Sequence, residues 1–494
     1  MKFVVKESLT DADVQSGLRA VIRDGMASQA MATLTSGAFL VAFALKLGAS
    51  NLEIGLLAAL PPLMQLLQIP SIYLVEKIKI RRAISTYAST IRRLPWLMIA
   101  LIPFLSSPET GLVIILISAI LLNSAFGAVS NCSWNSWMRD LITQERLGHF
   151  FSRRMKLSTG LGIGLCIAAA FCIDYWKRLF PDKEMYAYSF LFLVGFIAGM
   201  IGVYFISTIP EPRMSEGHEK INFLNMLVRP FEDINFRSLV MFLGSWNFAI
   251  NLAAPFFTVY MLQRLGLEMS LIIGLTVLSQ LMHFAFLGLW GKFTDRFSFK
   301  SVLGISRPLF VLCILAWAFT TMRERNILTV PLLIVIHIFM GISTADVNLA
   351  SGNIGLKLAP KGYATVYLAG NNLVNSVAAA IAPILGGRFA DFFASRELSM
   401  VLNWKSPGKE LAIQTLNFQH WDFFFLFAFL IGLVAIYQLR KIKEQGEVEE
   451  KIAIKELLSE VRSDMRDLSS AGGLRKLVIF PFSIMRVLKK SMIQ

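Results

Sequence analysis

The stretch that decides the fold is residues 110–130, TGLVIILISAILLNSAFGAVS, which carries no charged side chain. About 20 consecutive apolar residues are enough for an α-helix to cross the hydrocarbon core of a bilayer. A strand of a transmembrane barrel would instead alternate apolar and polar residues over about ten positions. Because this run is continuous, it predicts a transmembrane helix.

Similar runs recur along the whole chain. Of its 494 residues, 55% are hydrophobic and only 16% are charged, whereas soluble proteins carry about 25% charged residues. We therefore predict an all-α polytopic membrane protein with twelve spans. Their approximate ranges are 26–47, 51–75, 83–105, 110–137, 156–174, 186–208, 238–263, 270–290, 301–322, 328–350, 363–387 and 421–440.

The distribution of basic residues predicts the orientation of the spans. The loops on the side that both termini share hold 34 of the 48 Lys and Arg residues, against 11 on the opposite side. Lys and Arg collect in cytoplasmic loops, so we expect both termini to be cytoplasmic. The single glycosylation sequon, Asn131-Cys-Ser, lies inside a span, and we therefore favour a prokaryotic inner (plasma) membrane. The net charge of +15 is then explained by basic loops at the surface of a lipid bilayer, which is the expected partner. We expect no binding to nucleic acid.

Short motifs indicate that the chain contains an internal repeat. The segments 46–48 (KLG) and 54–56 (IGL) recur as 264–266 (RLG) and 273–275 (IGL), and further glycine pairs keep an offset of 214 to 219 residues. Six spans return the chain to its starting side, so the two halves are predicted to be parallel repeats. The predicted organisation is an amphipathic N-terminal segment 1–25, a first half 26–208, a central loop 209–237, a second half 238–440 and an amphipathic tail 441–494.

The segment 291–300, GKFTDRFSFK, resembles the signature loop of the major facilitator superfamily, G-x-x-x-D-R-x-x-x-[KR], and 73–82 is a divergent copy. The resemblance implies two six-helix bundles that rock around a central site, with a cytoplasmic gate made by these loops. It further implies that Asp295 and Arg296 meet the start of span five, and that Glu76 and Arg81 meet the start of span eleven near Lys361. The gate residues expected are Glu76, Lys77, Arg81, Gly291, Asp295, Arg296, Lys300, Arg153 and Arg154.

Ionisable side chains inside apolar spans are candidates for ion coupling, because burying them in lipid is costly. Asp346 lies within span ten and is the first choice for coupling to a proton or cation. His283 and His337 titrate near neutral pH when unperturbed and are the further candidates. Arg93 and Arg307 each lie beside a proline segment in spans three and nine, and this symmetry favours a structural role for both.

Neutral polar side chains within the spans are candidates for the wall of a substrate cavity. Amides beside tryptophans suit a polar or amphipathic small molecule that is held by hydrogen bonds and stacking. Such residues equally serve as hydrogen bonds between helices. The candidates are Gln29, Gln65, Arg92, Asn123, Asn131, Trp134, Trp246, Asn247, Asn251, Gln280, Asn371 and Asn375.

These patterns predict a monomeric secondary transporter without a metal ion or cofactor. The sequence has no Walker loop and no H-E-x-x-H or G-x-S-x-G motif, so we expect no enzymatic activity. A multidrug or metabolite efflux antiporter is the first alternative. A membrane sensor or scaffold that acts through the C-terminal tail is the second.

Overall fold

The computed structural model describes residues 5–7, 9–105, 109–142, 144–214, 230–321, 328–359, 364–406 and 409–444. In this part of the chain it has fourteen helices joined by short connections. The first half contains α1 (Asp11–Thr35), α2 (Ala38–Lys46), α3 (Asn51–Met64), α4 (Gln68–Ile78), α5 (Arg81–Leu101), α6 (Glu109–Leu141), α7 (Gln144–Leu179) and α8 (Glu184–Thr208). The second half contains α9 (Ile234–Gln263), α10 (Met269–Arg296), α11 (Phe299–Trp317), α12 (Thr329–Leu358), α13 (Ala364–Phe393) and α14 (Trp421–Leu439).

Two of the spans are each built from two helices. The chain bends between α1 and α2 at Gly37, whose φ of 61° is accessible to glycine without steric cost. Pro61 and Pro62 lie near the end of α3, and a 3₁₀ turn over Gln65–Leu67 leads from it into α4. Proline removes a backbone donor, which accounts for the irregular geometry there. The fourteen helices thus form twelve membrane-crossing segments, in agreement with the sequence prediction.

Length and hydropathy support this count. Ten segments in the described ranges are long and apolar enough to cross a bilayer, and Thr329–Ala345 is a shorter apolar helix. The twelfth segment, α5, is less hydrophobic than these because it carries four arginines. Polar groups of this kind inside a span are rare and are usually functional.

Two boundaries differ from those predicted. The first span begins at Asp11 rather than at residue 26, because Thr10 and Asp13 form a capping box that starts a helix in the polar segment. At the other end, the predicted loop 388–420 contains the end of α13 and a hairpin of β1 (Glu397–Ser406) and β2 (Lys409–Gln419). The tail beyond residue 444 and most of the central loop lie outside the described residues.

The buried apolar side chains reveal how the two halves meet. We call the end of the bundle where α1 begins and α14 ends the proximal end, and the opposite end the distal end. In the described ranges, one large cluster combines residues of both halves, including Phe43, Ile54 and Phe256. Two smaller clusters lie towards the proximal end, around Trp137 in the first half and around Trp290 in the second. The halves therefore share one apolar core but pack separately at the proximal end.

Helices α3 and α13 form the closest contact between the halves. A Cβ on Gly55 would overlap the carbonyl oxygen of Pro383, and a Cβ on Gly387 would overlap the carbonyl oxygen of Asn51. Backbones can approach this closely only where glycine leaves out a side chain. Both contacts lie in the distal half of the bundle, so the close seam between the halves is distal.

This seam predicts a difference between two glycines that the sequence repeat relates. Gly55→Ala should force α3 and α13 apart and destabilise the protein by about 1–3 kcal/mol, the usual cost of overpacking. Gly274→Ala should have little effect, because a Cβ there meets nothing within 4 Å. Thermal unfolding of the purified variants measures both changes. Equal melting temperatures for the two variants would contradict the seam.

Candidate functional site

The distal end of the bundle is held shut by a carboxylate of the second half. Asp391, in the last turn of α13, accepts hydrogen bonds from the backbone N–H groups of Asn51 and Leu52 at 3.2 and 2.9 Å. The side-chain amide of Asn51 donates a third bond at 2.9 Å. The first N–H groups of a helix have no partner within the helix, and the helix dipole favours a negative charge there. Asp391 therefore caps α3 across the interface between the halves.

A second carboxylate makes the same contact with the halves exchanged. Asp174, near the end of α7, accepts hydrogen bonds from the backbone N–H groups of Met269 and Ser270 at 3.1 and 2.7 Å. Glu268, the N-cap residue of α10, forms no capping bond with its own side chain. Asp174 of the first half takes over that role for the second half.

We call Asp174 and Asp391, with the helix starts that they cap, the distal gate. The two aspartates are 217 residues apart, which lies within the offset of the internal repeat. Arg178 and Glu268 add an exposed ion pair of 3.3 Å across the same interface. Neither aspartate was predicted from the sequence, because each lies at the end of a span next to a loop. The repeat offset was the signal that could have found them.

At the proximal end, the corresponding helix starts are capped from within their own half. The carboxylate of Glu211, just after α8, accepts bonds from the backbone N–H groups of Arg81 and Arg82 at 2.6 and 3.1 Å. The guanidinium of Arg81 is fully buried and contacts Asp140, Glu211 and the carbonyl oxygen of Pro212. The prediction that Arg81 meets span eleven is therefore wrong. A fully desolvated guanidinium needs several acceptors, and the first half supplies them.

The second half repeats this arrangement with Glu444, which follows α14. Its carboxylate accepts bonds from the backbone N–H groups of Phe299 and Lys300 at 3.3 and 2.8 Å. Lys357 forms an ion pair with the same carboxylate at 2.6 Å. Each half thus completes these proximal caps itself, whereas the distal caps made by Asp391 and Asp174 cross between the halves.

The other predicted gate residues are distributed around the proximal end. Glu76 and Lys77 are exposed at the end of α4, and Gly291 lies inside α10. Arg296 is exposed beside the ring of Phe297, whereas the side chain of Asp295 lies outside the described part. Arg153 and Arg154 lie in different environments. Arg153 is exposed, whereas Arg154 forms an ion pair of 3.8 Å with Asp24 of its own half.

Several predicted cavity residues carry polar atoms without a partner in the described structure. The side-chain oxygens of Asn123, Asn371 and Asn375 and the indole nitrogen of Trp134 are buried and make no hydrogen bond there. Asn131 and Gln280 are exposed. Four further candidates bond within the protein, with Asn247 and Asn251 donating to carbonyls one turn back, Gln29 to Thr33, and Gln65 accepting from Gln68.

Trp246 does not line a cavity, contrary to prediction. It is 1% exposed and packs against Phe310 and under the guanidinium of Arg307, which lies 4.0 Å from its ring centre. Position 246 lies on the side of α9 that faces α11, so its ring fills the outer core. Spacing along a helix identifies a face but does not say which neighbour covers it.

The coupling candidates lie on two adjacent helices of the second half. His283 of α10 is 3.5 Å from the hydroxyl of Thr344 of α12, at the limit of a hydrogen bond. His337 is buried and bonds the carbonyl of Leu333 in its own helix at 2.8 Å, which is a packing role. Asp346 follows Thr344 by two residues, and its side chain lies outside the described part.

Comparison with known proteins decides the family. The model of the Major Facilitator Superfamily matches residues 25–383 and again residues 238–487. The chain belongs to the major facilitator superfamily. It is therefore an integral multi-pass membrane protein with a transporter fold rather than an enzyme. No curated protein matches its sequence.

Solved structures of superfamily transporters share the fold of this transporter. The nucleoside transporter NupG is 14% identical with a TM-score of 0.60, covering 87% of this chain and 98% of its own. A D-xylose–proton symporter is 13% identical with a TM-score of 0.61, covering 88% and 100%. A bacterial homologue of the iron transporter ferroportin, solved in an inward-facing state, is 12% identical with a TM-score of 0.59, covering 88% and 99%. At such identities, the likeness is one of fold.

The distal gate of the transporter predicts a shift in access when its charges are removed. The double variant Asp174→Asn and Asp391→Asn removes from each cap the negative charge and one of the two acceptor oxygens. A loss of about 1 kcal/mol at each cap opens the distal end on the order of tenfold more often. A thiol introduced by Asn131→Cys, in a chain whose native cysteines are replaced, reports the opening through labelling by an impermeant maleimide added at the distal side.

The matched control is Asp182→Asn, which removes an exposed acid from the same end of the bundle. We expect it to leave distal labelling unchanged. Distal labelling that stays at the starting level in the double variant would contradict the gate.

Proposed function

We propose that this protein is a secondary active transporter that moves a small polar or amphipathic solute by alternating access, coupled to a proton. The observation that carries the proposal is the placement of the helix caps. Asp174 and Asp391 join the halves at the distal end, while Glu211 and Glu444 complete separate networks at the proximal end. When two bundles rock, the contacts between them must be able to break, while the contacts within each bundle stay intact.

The polarity of the interior supports the class of solute. The unpartnered amide oxygens belong to Asn123 on α6 of the first half and to Asn371 and Asn375 on α13 of the second half. A buried polar atom without a partner is costly, and a solute that donates hydrogen bonds relieves that cost. A solute bound by both halves would also favour the closure of one half onto the other.

The arrangement around His283 supports proton coupling. The ring of His283 on α10 lies beside the hydroxyl of Thr344 on α12, the helix that also carries Asp346. A carboxyl group and an imidazole on adjacent helices inside a membrane are the groups from which proton relays are built. We further propose that the proximal end, with both termini, is cytoplasmic, because the basic loops lie there.

Locking the distal gate tests alternating access. A ligand screen by thermal shift on the purified protein first identifies a transported compound, since a substrate stabilises the state that it binds. The chain with Arg178→Cys and Glu268→Cys is then treated with a bifunctional thiol reagent in proteoliposomes. We expect uptake to stop and to return after reduction, because the halves can no longer part at the distal end. The two single-cysteine chains serve as controls. Uptake that continues in the cross-linked protein would rule out alternating access.

Proton coupling has a separate test. Uptake of the same compound should rise when a pH gradient is imposed across the proteoliposome membrane. Asp346→Asn should abolish this response while counterflow exchange without a gradient is retained, because exchange needs no net proton movement. His337→Gln is the matched control, since His337 is bonded within its own helix. A pH response that persists in Asp346→Asn would exclude that carboxyl as the coupling site.

A further inference from the structure

Three arginines for which the sequence predicted separate roles come together in the first half around Asp24, which the sequence did not single out. Asp24 of α1 is 3% exposed and lies 3.8 Å from the guanidinium nitrogens of both Arg93 and Arg154. The hydroxyl of Ser28 links two of them, since it donates to Asp24 at 3.0 Å and accepts from Arg93 at 2.8 Å. We call Arg92, Arg93 and Arg154 the arginine cluster and Asp24 its carboxylate.

The arginine cluster is not neutralised by the side chains described around it. Asp24 forms ion pairs with only two of the three guanidinium groups, those of Arg93 and Arg154, and both pairs are long, at 3.8 Å. The Nε atom of Arg92 and the Nε and Nη1 atoms of Arg93 are buried and make no hydrogen bond in the described structure. Burying unpaired charge inside a membrane protein is costly, so an uncompensated positive charge marks a site where something negative binds.

The cluster lies along the same face of α6 as the predicted cavity residues. The guanidinium carbon of Arg92 would be 3.7 Å from a Cβ on Gly127, and that of Arg154 lies 5.0 Å from the ring centre of Trp134. Asn131, which is exposed, stands between these two positions on the helix. Arg92 is about 16 Å along α5 from its start at Arg81, near the middle of a bilayer core of about 30 Å.

Glycines shape the space around the arginines. A Cβ on Gly25 would overlap the guanidinium of Arg154, and one on Gly202 would come within 3.2 Å of both Arg93 and Asp24. Arg93 is thereby held against its carboxylate by packing, with 3% of its surface exposed, whereas the side chain of Arg154 remains 25% exposed. Arg92 is half-buried, so the partly exposed members of the cluster, which a solute can reach, are Arg92 and Arg154.

We infer that the solute is an organic anion whose carboxylate or phosphate group binds to Arg92 and Arg154, with Arg93 and Asp24 positioning them. Guanidinium groups bind such oxyanions through paired hydrogen bonds. The indole ring of Trp134 offers an apolar surface to the rest of the solute, and the unpartnered oxygen of Asn123 accepts a hydrogen bond from it. This inference rests on the proposed transport function and adds the charge of the solute.

The sign of the local potential can be measured without knowing the solute. In the chain with Asn131→Cys and no native cysteines, we expect the anionic reagent sulfonatoethyl methanethiosulfonate to react faster than its cationic trimethylammonium analogue. Relative to a free thiol, the preference should be on the order of tenfold, since a charged cleft concentrates counter-ions by at least that factor. Arg92→Gln and Arg154→Gln should each reduce the preference, and Arg92→Lys should keep it. Arg19→Gln, which removes an exposed charge from α1, is the matched control.

A binding experiment complements the labelling. Thermal shifts at constant ionic strength compare benzoate with benzamide, succinate with succinamide, and glycerol 3-phosphate with glycerol. We expect at least one charged probe to raise the melting temperature by several degrees, its neutral counterpart to have no effect, and the rise to vanish in Arg92→Gln but not in Arg19→Gln. Stabilisation by the neutral counterparts as well, by none of the anions, or by an anion that still acts on Arg92→Gln would overturn the inference.

The two experiments separate this inference from the proposed function. A preference of the Asn131→Cys thiol for the cationic reagent overturns the anionic solute but leaves alternating access intact. A thiol that reacts with neither reagent contradicts the open cavity on which transport depends, and the probe pairs then decide the charge preference alone.

Discussion

The structure depends on the requirement that the first N–H groups of each helix find an acceptor. At the distal end the other half supplies acceptors for two helix starts, because Asp391 binds the first N–H groups of α3 and Asp174 those of α10. These contacts add charge–dipole attraction to hydrogen bonds where the two bundles meet. They lie beside a seam of glycines that lets α3 and α13 approach to backbone contact. Closure of this end is therefore built from a few directional bonds, which can break together.

The proximal end satisfies the same requirement without joining the halves. Glu211 caps α5 and Glu444 caps α11, so each bundle remains complete when the bundles separate there. The apolar clusters around Trp137 and Trp290 are likewise separate. Because the halves are bonded to each other at the distal end and complete their own caps at the proximal end, they can separate at the proximal end. Transport by a superfamily member also requires the opposite movement, in which the hydrogen bonds of the distal caps break and their groups bind water instead.

Hydropathy and the internal repeat predicted the twelve spans, and the signature loop at 291–300 predicted the family. The site was harder to predict, because spacing along a helix does not reveal what covers each face. Trp246 was expected in the cavity and packs beneath Arg307, while Arg81 was expected between the halves and is buried in its own. Asp24 was missed because the segment before residue 26 is polar, and its burial arises only when α5 and α7 bring arginines to it.

Pulsed electron paramagnetic resonance tests the central claim, that the distal caps hold the halves together. Spin labels at Lys183 and Glu397 report the distal end, and labels at Arg19 and Arg237 report the proximal end, all four being exposed. In the chain with Asp174→Asn and Asp391→Asn, we expect a longer distal distance to appear together with a shorter proximal one. Distances that stay as in the unmodified protein, or that lengthen at both ends, would contradict the account.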